Sequence, residues 1–433
     1  MSSKSPTRHR VNYASELLYS CFNATGYHFA NHESDDCDDF RNRHWNDLDG
    51  GNQVRQLHRV QSINHSFQTN FIDINEYGRS ARIDKTFLET PNVTLDFEYL
   101  LADGYNEQVC GFIIDGETPA LAKHMLSNDR MHGQNFFIVQ VPDGHDVINS
   151  NLDKFGDNVG VIGIGNAHLS QYALTAEVGS APRARFSFEG SNIKSYKGFK
   201  NLPIPSFNFQ KGYSEQDIKF SIPDTYESFV YEKLNGVEDI VYEPGSVGVG
   251  PGDLRITLDN AGYLSKNTSS FNDYSNGEAH IQGFTINVPM GNTKLSRIGT
   301  DLEFVRSYNY PSRIDIQVRA LMGDLREAQG LCELFTTDKH NLVLIIQDPR
   351  SVCNRGGVLQ QDQMKMAYYI KGAVLESEGF ELAIGDNKVV DLNFHAQISG
   401  PDDLDNGLFI FGSSFFADRP RILSWGDPLV KIY

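Results

Sequence analysis

Long apolar runs are what this sequence most lacks. No stretch of 18 apolar residues occurs anywhere in its 433 residues, so no segment is suited to cross a membrane as a helix. The opening residues, MSSKSPTRHRVNYASELLYSCF, have neither the apolar core nor the cleavage site of a secretory signal, which argues against export by that route. The Asn-x-Ser/Thr triplets at Asn23, Asn64, Asn92 and Asn267 therefore carry no weight as glycosylation sites. Cysteine is scarce as well. Cys21, Cys37, Cys110, Cys332 and Cys353 are odd in number, widely spaced and never at zinc-ligand spacing, which fits reduced structural thiols.

Positive charge is in deficit. Lys and Arg number 38 against 56 Asp and Glu, for a formal net charge of −18. Gripping nucleic acid needs clustered Lys and Arg, so that class of function is disfavoured. An acidic wall past which nucleic acid slides without sticking stays compatible with the same charge, as does acidity that serves solubility alone. Catalytic signatures are missing too: there is no G-x-S-x-G, H-E-x-x-H, P-loop or C-x-x-C. Carboxylate pairs are plentiful in so acidic a chain, and none singles itself out for acid–base work. The expectation is a protein that is not an enzyme, with no catalytic, cofactor-binding or metal-ligating residues.

Three local patterns invite a site and fail on their chemistry. Asp35, Asp36, Asp38 and Asp39, followed by Asp47 and Asp49, lack the spaced alternation and turn glycine of a calcium loop. GVIGIGNAH, Gly160 to His168, has the glycines of a dinucleotide fingerprint in the wrong order and without a βαβ context; it reads as a glycine-rich entry to a strand. His124 and His132 flank an expected helix end with Asp129 between them, an arrangement common among exposed histidines beside helix termini.

What is present is an internal echo. Residues 60–103, VQSINHSFQTNFIDINEYGRSARIDKTFLETPNVTLDFEYLLAD, return at a displacement of 221 as IQGFTINVPMGNTKLSRIGTDLEFVRSYNYPSRIDIQVRALMGD, residues 281–324. Gln61 meets Gln282, Gly78 meets Gly299, Leu100 meets Leu321 and Asp103 meets Asp324. Alternation at Val93, Leu95, Phe97 and Tyr99, and again at Ile314, Ile316 and Val318, is the period of a half-buried strand. Downstream the displacement becomes 206: FFIV (136–139) faces LVLI (342–345), YALTAEVG (172–179) faces EGFELAIG (378–385), and RFSF (185–188) faces DLNF (391–394). The difference of 15 residues locates an insertion at 104–118 in the first copy. Thr118-Pro119 and Asp324 then both open helices with a capping side chain, the second showing Ala328, Leu331, Cys332 and Phe335 on one face.

The chain accordingly divides into an acidic N-terminal arm (1–56), either flexible or ordered only against a neighbour, a first β repeat (57–193, insertion 104–118) and a connector or belt (194–278). A second β repeat (279–397) and an apolar C-terminal extension (398–433) follow. An end as apolar as GLFIFGSSFFADRPRILSW is expected to dock on its own domain or on a partner.

Two tandem β-rich units, each with one helix between strand groups, resemble the tail tube proteins (major tail proteins) of long-tailed bacteriophages, in the variant with a duplicated tube domain. The resemblance lies in the passages SNDRMHGQNFFIVQV, FTTDKHNLVLIIQD and YALTAEVGSAPRARFSFEGSNI, covers about 250 of the 433 residues and carries over no site residue. It implies a mainly β fold of two β-sandwich or barrel units, each with one flanking α-helix. It further implies a homotrimer with pseudo-sixfold outline, stacked into a virion tail tube that conducts double-stranded DNA during ejection. The partners implied are further copies of the chain and other tail proteins (terminator, baseplate, tape measure), with DNA passing through unbound and no membrane; assembly would occur in the host cytoplasm. The loops 75–91 and 299–311, the insertion and the arm are candidate ring-to-ring contacts. Alternatives are another ring-forming virion component of this fold (baseplate hub, tail terminator, adhesin), a contractile-injection tube, or a β-sandwich enzyme or binding protein.

Overall fold

A computed structural model describes residues 16–22, 55–87, 92–101, 104–116, 118–126, 134–145, 147, 158–190, 192–197, 202–203, 217–218, 249–250, 253–259, 281–295, 298, 305–321, 339–347, 364–381, 389–398, 400 and 402–412. In chain order, the first part contains β1 (Glu16–Phe22), β2 (Arg55–Gln56), β3 (Val60–Gln68), β4 (Phe71–Ile74), β5 (Asp84–Phe87) and β6 (Asn92–Leu100). Helices α1 (Tyr105–Val109) and α2 (Ala122–Leu126) come next, then β7 (Gln134–Gln140), β8 (Gly160–Glu177), β9 (Arg183–Gly190) and β10 (Asn192–Lys197). Between the repeats lie β11 (Leu202–Pro203), β12 (Asp217–Ile218) and β13 (Leu254–Asp259). The second repeat runs β14 (Ile281–Pro289), β15 (Asn292–Leu295), β16 (Val305–Tyr308), β17 (Ser312–Leu321), β18 (His340–Gln347), β19 (Met364–Glu381) and β20 (Val389–Ile398), closed by β21 (Gly407–Gly412).

The fold is mainly β, and a large antiparallel sheet runs through both repeats. Displaced by 221, the bounds of β3, β4 and β5 coincide with those of β14, β15 and β16. Pairing repeats as well: β3–β6–β9–β8 in the first unit corresponds to β14–β17–β20–β19 in the second. The alternation read from the sequence is the cause, since Val93, Leu95, Phe97 and Tyr99 in β6 and Ile314, Ile316 and Val318 in β17 all turn into the core. Phe97 stacks on Phe188 at 6.2 Å and meets Phe186 and Phe136 at 5.5 and 6.0 Å, a ring cluster that fills the first unit. The glycine-rich GVIGIGNAH is the first half of β8, paired with β7 on one side and β10 on the other. Two small two-stranded sheets, β4–β5 and β15–β16, stand off the main one.

Several expectations need correction. The segment 1–56 is not wholly an arm: β1 pairs with β7 from Glu16↔Gln140 to Phe22↔Gln134, and Leu18 and Tyr19 are core residues. The connector likewise gives β13, which pairs with β18 as β1 pairs with β7. Each repeat thus starts earlier than its echo, because ELLYSCF and LRITLD share apolar character without residue identity. Similarly, β21 in the C-terminal extension lies on β19 and is buried throughout, so this part of the apolar end docks on its own unit. Among the described residues the first unit carries two five-residue helices instead of one, and the helix expected from Asp324 lies outside them.

Candidate assembly interface

The insertion 104–118 is the hub of the junction between repeats, not an exposed contact loop. Its helix α1 starts at Gly104, which adopts φ +79, and a Cβ there would come within 3.3 Å of Met366 on β19. Gly116, at φ +74, closes the insertion so tightly against β21 that a Cβ would sit 2.0 Å from the Phe411 ring. Backbone bonds tie the insertion and the residues just after it to β21, from the Gly412 amide to the Ile114 carbonyl (3.2 Å) and from the Ala120 amide to the Leu408 carbonyl (2.8 Å). Asn106 completes the hold on the first unit, exchanging side-chain bonds with the amide (2.9 Å) and carbonyl (2.7 Å) of His58.

At its centre Glu107, only 1 % exposed, accepts hydrogen bonds on Oε1 from Tyr99 (2.5 Å), Tyr368 (3.0 Å) and Tyr172 (3.2 Å). The Tyr172 and Tyr368 hydroxyls are themselves 2.8 Å apart. Tyr99 and Tyr172 come from the first repeat and Tyr368 from the second, so one buried carboxylate ties both units. A buried carboxylate is tolerated only when hydrogen-bonded, and the phenols supply those bonds. Nothing in the sequence pointed to this residue; the one available signal was its place in an insertion that breaks the repeat.

Burial, reinforced by the Glu107 charge, pushes the hydroxyls of Tyr99, Tyr172 and Tyr368 well above the ordinary phenol range, and burial alone does so for Tyr19. A phenol with a raised folded pKa keeps its proton in the fold and releases it on unfolding. The stability is therefore fully present below about pH 10 and declines as pH climbs toward the folded value, by about 1.4 kcal/mol per pH unit for each such tyrosine. Denaturant midpoints should be flat up to about pH 9 and fall steeply above about pH 10, with tyrosinate absorbance rising in the unfolding step itself. Exposed tyrosines such as Tyr77 titrate in the fold regardless, so only a gradual rise that accounts for all 19 tyrosines in still-folded protein would place these four in water.

The residues weighed for chemistry are dispersed. His124 is buried, not exposed, with Nε2 3.0 Å from the Cys110 carbonyl, and Cys110 is a buried free thiol. His132, Asp129 and the acidic cluster 35–49 lie outside the described residues. Among the described residues no group of three or more His, Cys, Asp or Glu is gathered as for a metal ion, and no helix is long and apolar enough to cross a membrane.

What the structure does bring together is a pair of matching strand edges. β8 is 18 residues long; its first half pairs with β7 and β10, and its second half pairs with β9 and with β14 of the other repeat. The β8–β14 junction runs from Gly283↔Glu177 to Pro289↔Gln171 and fuses the units into one sheet. The equivalent half of β19, residues 374–381, pairs with β20 on one side, and among the described residues no strand covers its other side. Among the described residues β3, the counterpart of β14, pairs with β6 alone.

The consequence shows in the side chains. Phe284, Ile286 and Val288 of β14 are fully buried, whereas in β3 Ile63 is half-buried and His65 exposed. Phe67 is 65 % exposed where its counterpart Val288 is 0 % exposed. Among the described residues each chain thus offers two strands, β3 and the second half of β19, that lack a second neighbour.

The sheet face opposite the core carries cross-strand ion pairs: Arg183–Glu98 (2.7 Å), Arg185–Asp96 (3.2 Å), Arg319–Asp391 (2.9 Å) and Arg313–Glu376 (3.5 Å). This face alternates charge instead of being uniformly acidic.

No protein-family model and no curated protein matched the chain. Among solved structures, a chain of the anti-feeding prophage (AFP) baseplate, from a 6-fold symmetrised cryo-EM structure, aligns with 46 % of this chain and 98 % of its own length, at 11 % identity and a TM-score of 0.24.

Proposed function

We propose that the protein is a structural, non-enzymatic component of a phage-type particle whose copies join head to tail into rings, and that the rings stack as a tail tube conducting double-stranded DNA. The observation that carries the reading is the β8–β14 junction. It is a heterologous contact already made once inside the chain, and its two halves are offered again, unfilled, by β3 and β19. A heterologous contact repeated with a rotation that divides the circle closes into a ring, and closure covers the β3 and β19 edges. Three chains of two units each give the pseudo-sixfold outline that a duplicated tube unit implies. The alternating charges of the outer sheet face would line the bore, where paired arginines hold carboxylates and leave few cations for phosphate to grip.

Displacing the internal register by 221 for β14 and by 206 for β8 predicts the pairs between copies: Asn64↔Glu381, His65↔Phe380, Ser66↔Gly379, Phe67↔Glu378 and Gln68↔Ser377. Ser66 is exposed, and a Cβ at Gly379 would meet nothing closer than 3.9 Å. The double variant Ser66→Cys/Gly379→Cys should therefore form a disulfide between copies under mild oxidation, since directly paired strand residues lie within bridging distance. Non-reducing electrophoresis should show covalent species ending at the trimer, and either single variant should give none. Negative-stain images of the unmodified protein should show rings or open tubes. Single rings that never lengthen would assign it to a hub or terminator of the same fold, and a monomer at all concentrations would overturn the ring reading.

A further inference from the structure

The junction inside the chain is more than two strands. The β15–β16 hairpin of the second unit reaches back over the first, where Lys294 Nζ donates to Asn92 Oδ1 at 2.8 Å. Arg306, 4 % exposed, donates to the Glu189 carbonyl at 2.8 Å with the Glu189 carboxylate 3.7 Å away. The hairpin is a clamp across the β8–β14 seam, gripping the start of β6 and the end of β9.

The first unit has the same hairpin, β4–β5, with bounds displaced by the same 221 residues, and among the described residues no strand outside the hairpin pairs with it. Carried across the repeat, Lys294 becomes Asp73 and Asn92 becomes Arg313, while Arg306 becomes Lys85 and Glu189 becomes His395. The ammonium-to-amide contact of the internal clamp thus turns into a pair of opposite charges, and the Arg-to-carbonyl bond turns into a Lys-to-carbonyl one. Asp73 and Arg313 have half-exposed side chains, at 51 % and 52 %. Each now leans on local partners, Asp73 on Arg82 at 2.8 Å and Arg313 on Asp315 at 2.6 Å. The hairpin also opens with exposed Phe71 and Ile72 where the second unit has Asn292 and Thr293, whereas its exposed Ile74 and Tyr77 match the exposed Leu295 and Ile298. That difference has a physical reason. The β15–β16 clamp is tethered to its target by the chain, whereas a clamp on a separate molecule must offset the loss of translational and rotational freedom with buried apolar area.

We propose that β4–β5 is an intermolecular clamp: it crosses onto the second unit of the next copy of this chain, seating Asp73 against Arg313 and Lys85 against the residue-395 carbonyl. This rests on the head-to-tail reading and adds to it a second contact area, separate from strand pairing, that fixes the order and hand of the copies.

The test is a charge swap read by the mass distribution at fixed protein concentration and moderate salt. Asp73→Arg should weaken association about tenfold or more by setting like charges together at the seam, with the thermal midpoint of the monomer only slightly lowered because the Arg82 pair that it breaks is exposed. Adding Arg313→Asp should bring association back to within about threefold of the original, and Arg313→Ala in the Asp73→Arg background should recover part of it. Assembly of the Asp73→Arg variant at the original strength, or a double variant no better than that single one, would overturn the clamp. The Ser66→Cys/Gly379→Cys disulfide separates the two ideas: if it still closes to a trimer while the swap fails, the ring stands and the hairpin docks elsewhere.

Discussion

Phe67→Asp is expected to give a folded protein that no longer assembles, whereas Val288→Asp, at the equivalent position of the second unit, is expected not to fold. The two residues occupy the same place on β3 and β14, yet Phe67 is 65 % exposed in the single chain and Val288 is 0 % exposed. A carboxylate at 67 meets water in the monomer, so monomer stability should change by no more than about 0.5 kcal/mol. In the ring it would face the core of the next copy. The lost burial of a phenylalanine is about 2 kcal/mol, and desolvating an unpaired carboxylate adds several more. At least about 4 kcal/mol per junction is roughly a thousandfold in association, enough to leave monomer alone at micromolar concentration. At 288 the same cost falls on folding itself and rivals the whole stability of a domain. Circular dichroism with mass measurement on both variants checks the pair. Assembly of Phe67→Asp at the original strength would mean that β3 is not the joining edge.

The second large effect belongs to Glu107→Ala. Removing the carboxylate strips Tyr99, Tyr172 and Tyr368 of their shared acceptor and leaves the three hydroxyls to one another, while opening a hole between the repeats. Each orphaned buried hydroxyl costs about 1–3 kcal/mol, so with the lost packing the total should be about 3–5 kcal/mol. Glu107→Gln keeps the shape and one acceptor oxygen and should cost about 1–2 kcal/mol. Denaturant midpoints give both numbers, and the Ala variant should also broaden the transition as the units uncouple. A loss below about 1 kcal/mol for Glu107→Ala would show that the units are held by strand pairing and not by the hub.

Much of this architecture was legible because strand identity follows from a two-residue period that survives divergence. Val93, Leu95, Phe97 and Tyr99 declare their core face without help from any partner, and so do Ile314, Ile316 and Val318. Displacements of 221 and 206 then aligned β3 to β5 with β14 to β16, and β7 to β9 with β18 to β20, to within a few residues. β1 and β13 escaped because a strand that only needs apolar surface on a shared frame can change every residue. The insertion read as an exposed loop because its apolar residues have no period of their own; they are shaped by Met366 and Phe411, some 250 to 300 positions further along the chain.

The sequence by itself therefore determined the mainly β class, the repeated order of strands and the place where one copy is interrupted. All of these are local periodicities or comparisons of the chain with itself. Only the tertiary structure decided that the interruption is a buried tie between the units, that the units share one sheet through β8 and β14, and that β3 and β19 are left as open edges. Those outcomes depend on which strand finishes beside which: Phe67 of β3 and Val288 of β14 are both apolar, and a second neighbour makes Val288 core while Phe67 stays at the surface.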